Sequence, residues 1–231
     1  MQFITDVLGG LRTLVFPEIC IVCGERFEVI CQSCKHPWQM PGQQFHISDL
    51  KISTVVRYDN SSSKVILKAK EDRNKAARQL MALSLATSVA SWRHEVNLNQ
   101  VLLVPIPSTK KAIKRRGGSF LHPVLDMVRH NLRSKYGIEL KWESLLFHQK
   151  RVRDQSELSF QQRAENLANA FAVKEKLLTI DEIQKSQIIL IDDVVTTGAT
   201  LLSATQALEE RKMTVLGAAT ACATSHRLPI P

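Results

Sequence analysis

Apolar residues along this chain fall into short buried runs separated by polar turns. The strongest run, Ile188 to Ile191, is four consecutive aliphatic residues, which predicts a strand covered on both faces. Two acids, Asp192 and Asp193, end it, a helical pattern follows over 200–211, and small and β-branched residues over 214–222 predict a last strand. Upstream, Val101 to Val104 reads as a short buried strand closed by Pro105-Ile106-Pro107, and Ile52 to Tyr58 is rich in β-branched residues. The turn Asp59-Asn60-Ser61-Ser62-Ser63 can cap a helix, and 65–92 carries helical composition broken near Asp72-Arg73-Asn74. A further helix is expected over 119–133, with Pro123 in its first turn, where a missing amide hydrogen is harmless. Leu145 to His148 and Phe171 to Val173 complete the strands, separated by a charged stretch. This alternation predicts an α/β fold, a mostly parallel sheet flanked by helices.

The first 46 residues do not share that pattern. Ile4, Val7, Leu8, Leu11 and Val15 fall on one face of a short helix, expected to dock on the protein itself. Residues 17–40 hold closely spaced cysteines and no long apolar periodicity, and Pro41-Gly42-Gln43-Gln44 reads as a linker. The expected division is a small module over 1–46 and a main domain over 47–231.

Composition narrows the setting. A length of 231 residues suffices for one full core and an appendage, domains running to roughly 100–200 residues. No run approaches the ~18 apolar residues needed to cross a bilayer, and Met1-Gln2-Phe3-Ile4-Thr5-Asp6 lacks the basic lead of a secretory signal. A soluble, cytoplasmic protein is expected, and in a reducing compartment close cysteine pairs point to metal before disulfides. The net charge of +9 favours anionic partners, with nucleic acid, nucleotides and acidic membrane surfaces all qualifying. Lys110, Lys111, Lys114, Arg115 and Arg116 crowd one loop, and Lys150, Arg151 and Arg153 form a second group; a solvated surface is the alternative for both.

The chemistry concentrates at 192–200. Ligands of open α/β sheets bind beyond the carboxyl ends of strands, where Asp192-Asp193-Val194-Val195-Thr196-Thr197-Gly198-Ala199-Thr200 lies. The threonines offer hydroxyls and Gly198 lets the backbone turn its amides toward an anion at a helix start. Two carboxylates would repel a bare phosphate, so they call for sugar hydroxyls, with or without Mg²⁺. The segment therefore reads as a site for a phosphorylated ribose; a helix cap and polar turn are the alternative.

Cys20, Cys23, Cys31 and Cys34 follow C-x2-C-x7-C-x2-C. Paired knuckles of this kind close a tetrahedral Zn²⁺ site of structural type, with an iron–sulfur cluster or redox dithiols as alternatives. Cys222 reads as a core residue, His36 as a surface histidine, and Trp38 as a packing residue or a platform for a base.

Four blocks give the chain a family likeness: the cysteine quartet; Val104-Pro105-Ile106-Pro107 with its basic loop; Arg151 to Arg163 with Asn166; and the acid-pair motif. The acid-pair segment resembles the signature of type I phosphoribosyltransferases, which bind 5-phosphoribosyl diphosphate (PRPP), and the chain as a whole resembles the ComF/GntX family. The resemblance implies that Asp192 and Asp193 contact ribose hydroxyls, that 194–200 cradle the 5-phosphate, and that Mg²⁺ enters with PRPP. It assigns the diphosphate to the loop bearing Pro107, Ser108, Lys110, Lys111, Arg115 and Arg116, and makes Lys68, Gln155 and Arg163 further candidates. It also implies a role in DNA uptake, with single-stranded DNA and other competence proteins as partners; the alternative is an active PRPP-dependent phosphoribosyltransferase of nucleotide metabolism. Arg116-Gly117-Gly118-Ser119-Phe120 departs from the family's Arg-Gly-Phe-Asn or Arg-Gly-Tyr-Asn, and no acceptor pocket, general acid or general base can be named.

Overall fold

The computed structural model describes residues 18–26, 28–149, 170–178 and 180–224. The strands are β1 (Gln43–Ile47), β2 (Leu50–Thr54), β3 (Val56–Tyr58), β4 (Val101–Pro105), β5 (Lys141–Trp142), β6 (Leu146–His148), β7 (Phe171–Val173), β8 (Gln187–Val195) and β9 (Thr214–Thr224). The helices are α1 (Gln32–Lys35), α2 (Asn60–Lys70), α3 (Lys75–Ala90), α4 (Lys110–Arg116), α5 (Leu121–Tyr136), α6 (Glu175–Leu178), α7 (Asp181–Lys185) and α8 (Ala199–Glu209).

The main sheet runs β1-β2-β9-β8-β4-β5, with β3 continuing along β9 after a break at Val55. Every pairing in it is parallel except the β1–β2 hairpin. The expected α/β architecture is thus present. Its centre is β8, whose Ile189 and Ile191 enter the core packed by α2, α3 and α5, while Ile188 and Leu190 enter the core under α8. Burial on both faces is why this strand reads as an unbroken aliphatic run.

Local chemistry sets the helix starts. Asp59 accepts from the amides of Ser61 and Ser62, both at 2.8 Å, while Ser62 Oγ accepts from the Asp59 amide at 2.8 Å, a reciprocal cap for α2. Asn74 Oδ1 accepts from the Ala77 amide at 3.0 Å and starts α3. The break expected near Asp72-Arg73-Asn74 falls there, with Arg73 at a left-handed φ of 52°.

Three expectations are corrected. The Pro41–Gln44 stretch is not a free linker: Gln43 and Gln44 already belong to β1, paired with Thr54 and Ser53. The basic loop is a helix, α4, capped by Thr109 Oγ1, which accepts from the Ala112 amide at 3.3 Å, and closed by Gly117 at φ 66°. Finally, β8 does not stop at the acids; it continues to Val195, still in register with β9 through Val195 and Ala223. Polar side chains are tolerated there because Asp193 is ion-paired with Lys70 and Asp192 Oδ1 accepts from the Asp193 amide.

The cysteine-bearing segment shares the main core. Cys20, Val22, Ile30 and Trp38 are buried in the same cluster as α3 and α5, and Lys64 of α2 donates to the Val22 carbonyl at 2.6 Å. Trp38 is 2% exposed, so it packs rather than presenting a stacking face. Cys222 is fully buried in β9, as expected.

Candidate phosphoribosyl site and cysteine cluster

The ends of β4 and β8 stand side by side. Pro105 pairs with Ile191, and the Ile106 amide donates to the Ile191 carbonyl at 2.9 Å. The loop after β4 and the acids after Ile191 therefore open on one rim. Asp192 is half-buried and its Oδ1 accepts from the Asp193 amide at 2.9 Å. Its pKa is raised well above the ordinary carboxylate value, first by loss of solvent around the carboxyl and then by the charge of Asp193. Asp193 is buried and its Oδ2 lies 2.5 Å from Lys70 Nζ.

Beyond the acids, Val195 is buried as a core contact, while Thr196, Thr197 and Thr200 are exposed. Thr197 Oγ1 accepts from the Ala199 amide at 3.4 Å. Gly198 caps α8 at φ 82°, in the left-handed region that side chains disfavour. Val194 and Ala199 are half-buried parts of this scaffold.

The basic residues divide into two sets. Lys110, Lys111, Lys114 and Arg115 are exposed on α4, and the three lysines have no ion-pair partner among the described residues. Pro107 and Ser108 are half-buried on the approach to it. Arg116 turns inward: its side chain is 14% exposed and meets Glu71 Oε1 at 2.7 Å, an oxygen that Arg115 also reaches at 2.8 Å. The Arg116 hydrogen bond holds the Glu71 carboxyl below its usual range, with Arg115 assisting.

Sequence reasoning named Lys68 and missed Lys70. Lys68 is ion-paired with Asp72 at 2.6 Å on the exposed side of α2. Lys70, about 200° further round a helix of 3.6 residues per turn, is the lysine that meets the acid pair. Its signal was its place four residues after buried Ile66, on the face that packs. Lys70 also lines a cavity of about 220 Å³ with Arg73, Arg78, Arg116 and the segment Gly117 to Phe120. Neither Arg73 nor Arg78 stood out in the sequence. Gln155, Arg163, the Lys150 group and the Ile4–Val15 face lie outside the described residues.

A second hollow of about 220 Å³ opens on the other side of the β4 loop, lined by Ile106, Pro107, His122, Ser144, Phe147 and His148 among others. His148 Nε2 lies 2.9 Å from the Pro107 carbonyl, and His122 Nε2 2.9 Å from Ser144 Oγ. Burial, then the charge of Lys174, lowers the His122 pKa.

The four cysteines converge as expected, with all sulfurs within 4.8 Å of one another. Cys23 and Cys31 Sγ are 3.5 Å apart, and Cys20 Sγ accepts from the Cys31 amide at 3.4 Å. A tetrahedral ion with Zn–S bonds of about 2.3 Å separates its sulfurs by about 3.8 Å, so this cluster has the right size. Its electrostatics also call for a cation. Burial opposes ionisation of Cys20, but backbone hydrogen bonds from Cys23, Cys31 and Val22 outweigh it and lower the pKa to about 6. Burial and the neighbouring sulfurs push Cys34 strongly upward instead. Four thiolates can coexist here when a metal neutralises them. His36 is exposed and outside the cluster.

No helix among the described residues is long and apolar enough to cross a membrane. No curated protein gives a significant sequence match. Among solved structures, a hypoxanthine phosphoribosyltransferase from Staphylococcus aureus aligns at 13% identity and a TM-score of 0.35, over 64% of this chain and 65% of that one. The adenine phosphoribosyltransferase of Leishmania tarentolae aligns at 12% identity and 0.36, over 79% and 94%. That of Trypanosoma brucei, solved with AMP, pyrophosphate and ribose-5-phosphate, aligns at 10% and 0.34, over 86% and 84%. At scores this low the likeness adds nothing to the architecture described above. The family comparison is more specific: residues 139–229 match the phosphoribosyl transferase domain, and the span includes the acid pair, the Thr-Gly loop, β8, α8 and β9. Over that span, less than half of its length, the chain is similar to the phosphoribosyl transferase domain.

Proposed function

We propose that this protein binds PRPP, with Mg²⁺, on the rim formed by the ends of β4 and β8. The observation that carries the reading is the juxtaposition of Asp192 and Asp193 with the Gly198 turn that opens α8, inside the matched domain. Asp192 and Asp193 would face the ribose hydroxyls, and the amides and hydroxyls of 196–200 would hold the 5-phosphate. The side of the site toward Ser108 and Arg116 would take the diphosphate. Mg²⁺, when bound, would neutralise the diphosphate and draw the acid pair toward the sugar.

Transfer would require an acceptor to attack the ribose carbon as its bond to diphosphate breaks. The hollow bearing Phe147, His122 and His148 opens beside the same β4 loop, and it is the entry we assign to such an acceptor. Binding of PRPP to the purified chain in Mg²⁺ buffer, with ribose 5-phosphate as competitor, tests the reading. Saturable binding displaced by ribose 5-phosphate supports it; failure of both ligands to bind rejects it.

The finer assignment, a ComF-family protein with structural Zn²⁺ acting in DNA uptake, is also proposed. It rests on the resemblance of the cysteine quartet and the Val104–Pro107 block, and on the exposed basic face of α4. Phosphate contacts by lysine and arginine make nucleic-acid affinity fall steeply with salt. A labelled single-stranded oligonucleotide should therefore bind at about 50 mM salt and release at about 200 mM. No binding at the lower salt would remove the DNA role and leave the PRPP reading standing.

A further inference from the structure

Lys70 stands between two sites of opposite charge. Its Nζ meets Asp193 at 2.5 Å and sits 5.7 Å from the centre of the Phe120 ring, and the same side chain lines the cavity with Arg73, Arg78 and Arg116. The side chains of Lys70 and Asp193 are 24% and 13% exposed, so water screens their pairing less than it would on the open surface.

The cavity wall contains four cations and no carboxylate. Arg73 donates to the Arg116 carbonyl, Arg78 Nε donates to the Ala69 carbonyl at 3.0 Å, and Arg116 uses Nε and one terminal nitrogen on Glu71. Each guanidinium has five N–H donors, so each keeps donors for an incoming group. A volume of about 220 Å³ equals roughly seven waters at ~30 Å³ each, the space a diphosphate group needs. A single ammonium charge cannot neutralise Asp193 and an anion in the cavity at full strength together.

We propose that this cavity binds a phosphate-class anion, the diphosphate of the ligand proposed above, and that the anion draws Lys70 away from Asp193. The inference rests on that phosphoribosyl reading for the identity of the ligand. Asp193 is then released toward metal or sugar hydroxyls when the anion is in place. Anion binding and use of the acid pair are thereby coupled, and the coupling is reciprocal.

The test is calorimetric titration of the full, zinc-loaded chain with inorganic diphosphate in buffer cleared of free divalent ions over a chelating resin beforehand, with no chelator present during the titration. Lys70→Met should weaken binding about tenfold, the scale of one charge-assisted hydrogen bond. Asp193→Asn should tighten binding several-fold where Lys70 is present and leave it unchanged in the Lys70→Met background. Equal affinity of Lys70→Met and parent overturns the proposal. So does the same tightening by Asp193→Asn in both backgrounds, which would reflect lost repulsion alone.

Should Lys70→Met fail to fold, Asp193→Asn is compared with the double variant, where both charges leave together and no unpaired buried charge remains. The double variant should then bind about tenfold more weakly; equal affinity overturns the proposal. PRPP binding in Mg²⁺ with no dependence of diphosphate on Lys70 sinks this inference alone. Lys70-dependent diphosphate binding without PRPP binding sinks the phosphoribosyl reading and retains the cavity.

Discussion

The Ile47 side chain fills the space that a Cβ on Gly198 would need. Such an atom would lie 2.6 Å from Ile47 Cδ1 and 3.0 Å from Cγ2. The turn that opens α8 is therefore shaped from behind by β1, a strand distant in sequence. Gly198→Ala meets this contact and also a φ of 82°, worth about 1–2 kcal/mol by itself. Chemical denaturation should show a loss of at least that size, and PRPP affinity should fall. Adding Ile47→Ala should recover the steric part of the binding loss but not the backbone part. An unchanged midpoint and affinity in Gly198→Ala would mean that the turn is not held as described.

Gly117 offers a second comparison with an internal control. It closes α4 at φ 66°, and a Cβ there would stand 2.9 Å from Arg73 Nη2; Gly137 closes α5 at φ 67° with nothing within 4 Å. Alanine at either position should cost a similar ~1 kcal/mol of backbone strain. Gly117→Ala alone should also weaken diphosphate binding, because it displaces Arg73 in the cationic cavity. Calorimetry on both variants checks this, and parallel behaviour would contradict it.

Asp192 should make stability depend on pH in an unusual direction. Its carboxyl is raised in the folded protein, so the fold binds this proton more readily than the unfolded chain does. That contribution is complete below the ordinary carboxylate pKa and is lost as pH rises through the folded value. At neutral pH Asp192→Asn should therefore be more stable than the parent, with the gap closing on acidification, while binding Mg²⁺ and PRPP less well. Denaturation midpoints across about pH 4 to 8 test it; a parent at least as stable as the variant throughout would contradict it.

The cysteine cluster should hold about one zinc per chain by elemental analysis. Because Cys20 and Trp38 are buried in the core that α3 and α5 share, removing the metal should lower the melting temperature of the whole chain. Cys20→Ser should reproduce the effect and abolish the metal content. A chain without metal that melts at the same temperature as the parent would contradict a structural site.

The aliphatic runs of β4 and β8 and the small-residue run of β9 were legible because both sheet faces are buried. The hairpin strand β1 was not: with Gln43, Gln44 and His46 polar, only Phe45 and Ile47 alternate, too short a pattern to mark an edge strand. Helix α4 read as a loop because Lys110, Lys111, Lys114, Arg115 and Arg116 leave only Ala112 and Ile113 as apolar positions, and the Thr109 cap and Gly117 stop that define it were overlooked. The acid pair, the Thr-Gly turn and the cysteines carried their chemistry in their order along the chain. The cationic cavity did not, since Lys70, Arg73, Arg78 and Arg116 meet through the packing of α2, α3 and α4. The family resemblance pointed to Lys68, whereas helical phase brings Lys70 to the acid pair.

The most direct test is calorimetric titration of PRPP into the parent and into the Asp192→Asn, Asp193→Asn double variant, each with and without Mg²⁺. The parent should bind with a strong dependence on Mg²⁺, and the double variant at least about tenfold more weakly. Equal affinity of the two proteins in Mg²⁺ would contradict a phosphoribosyl site at the end of β8.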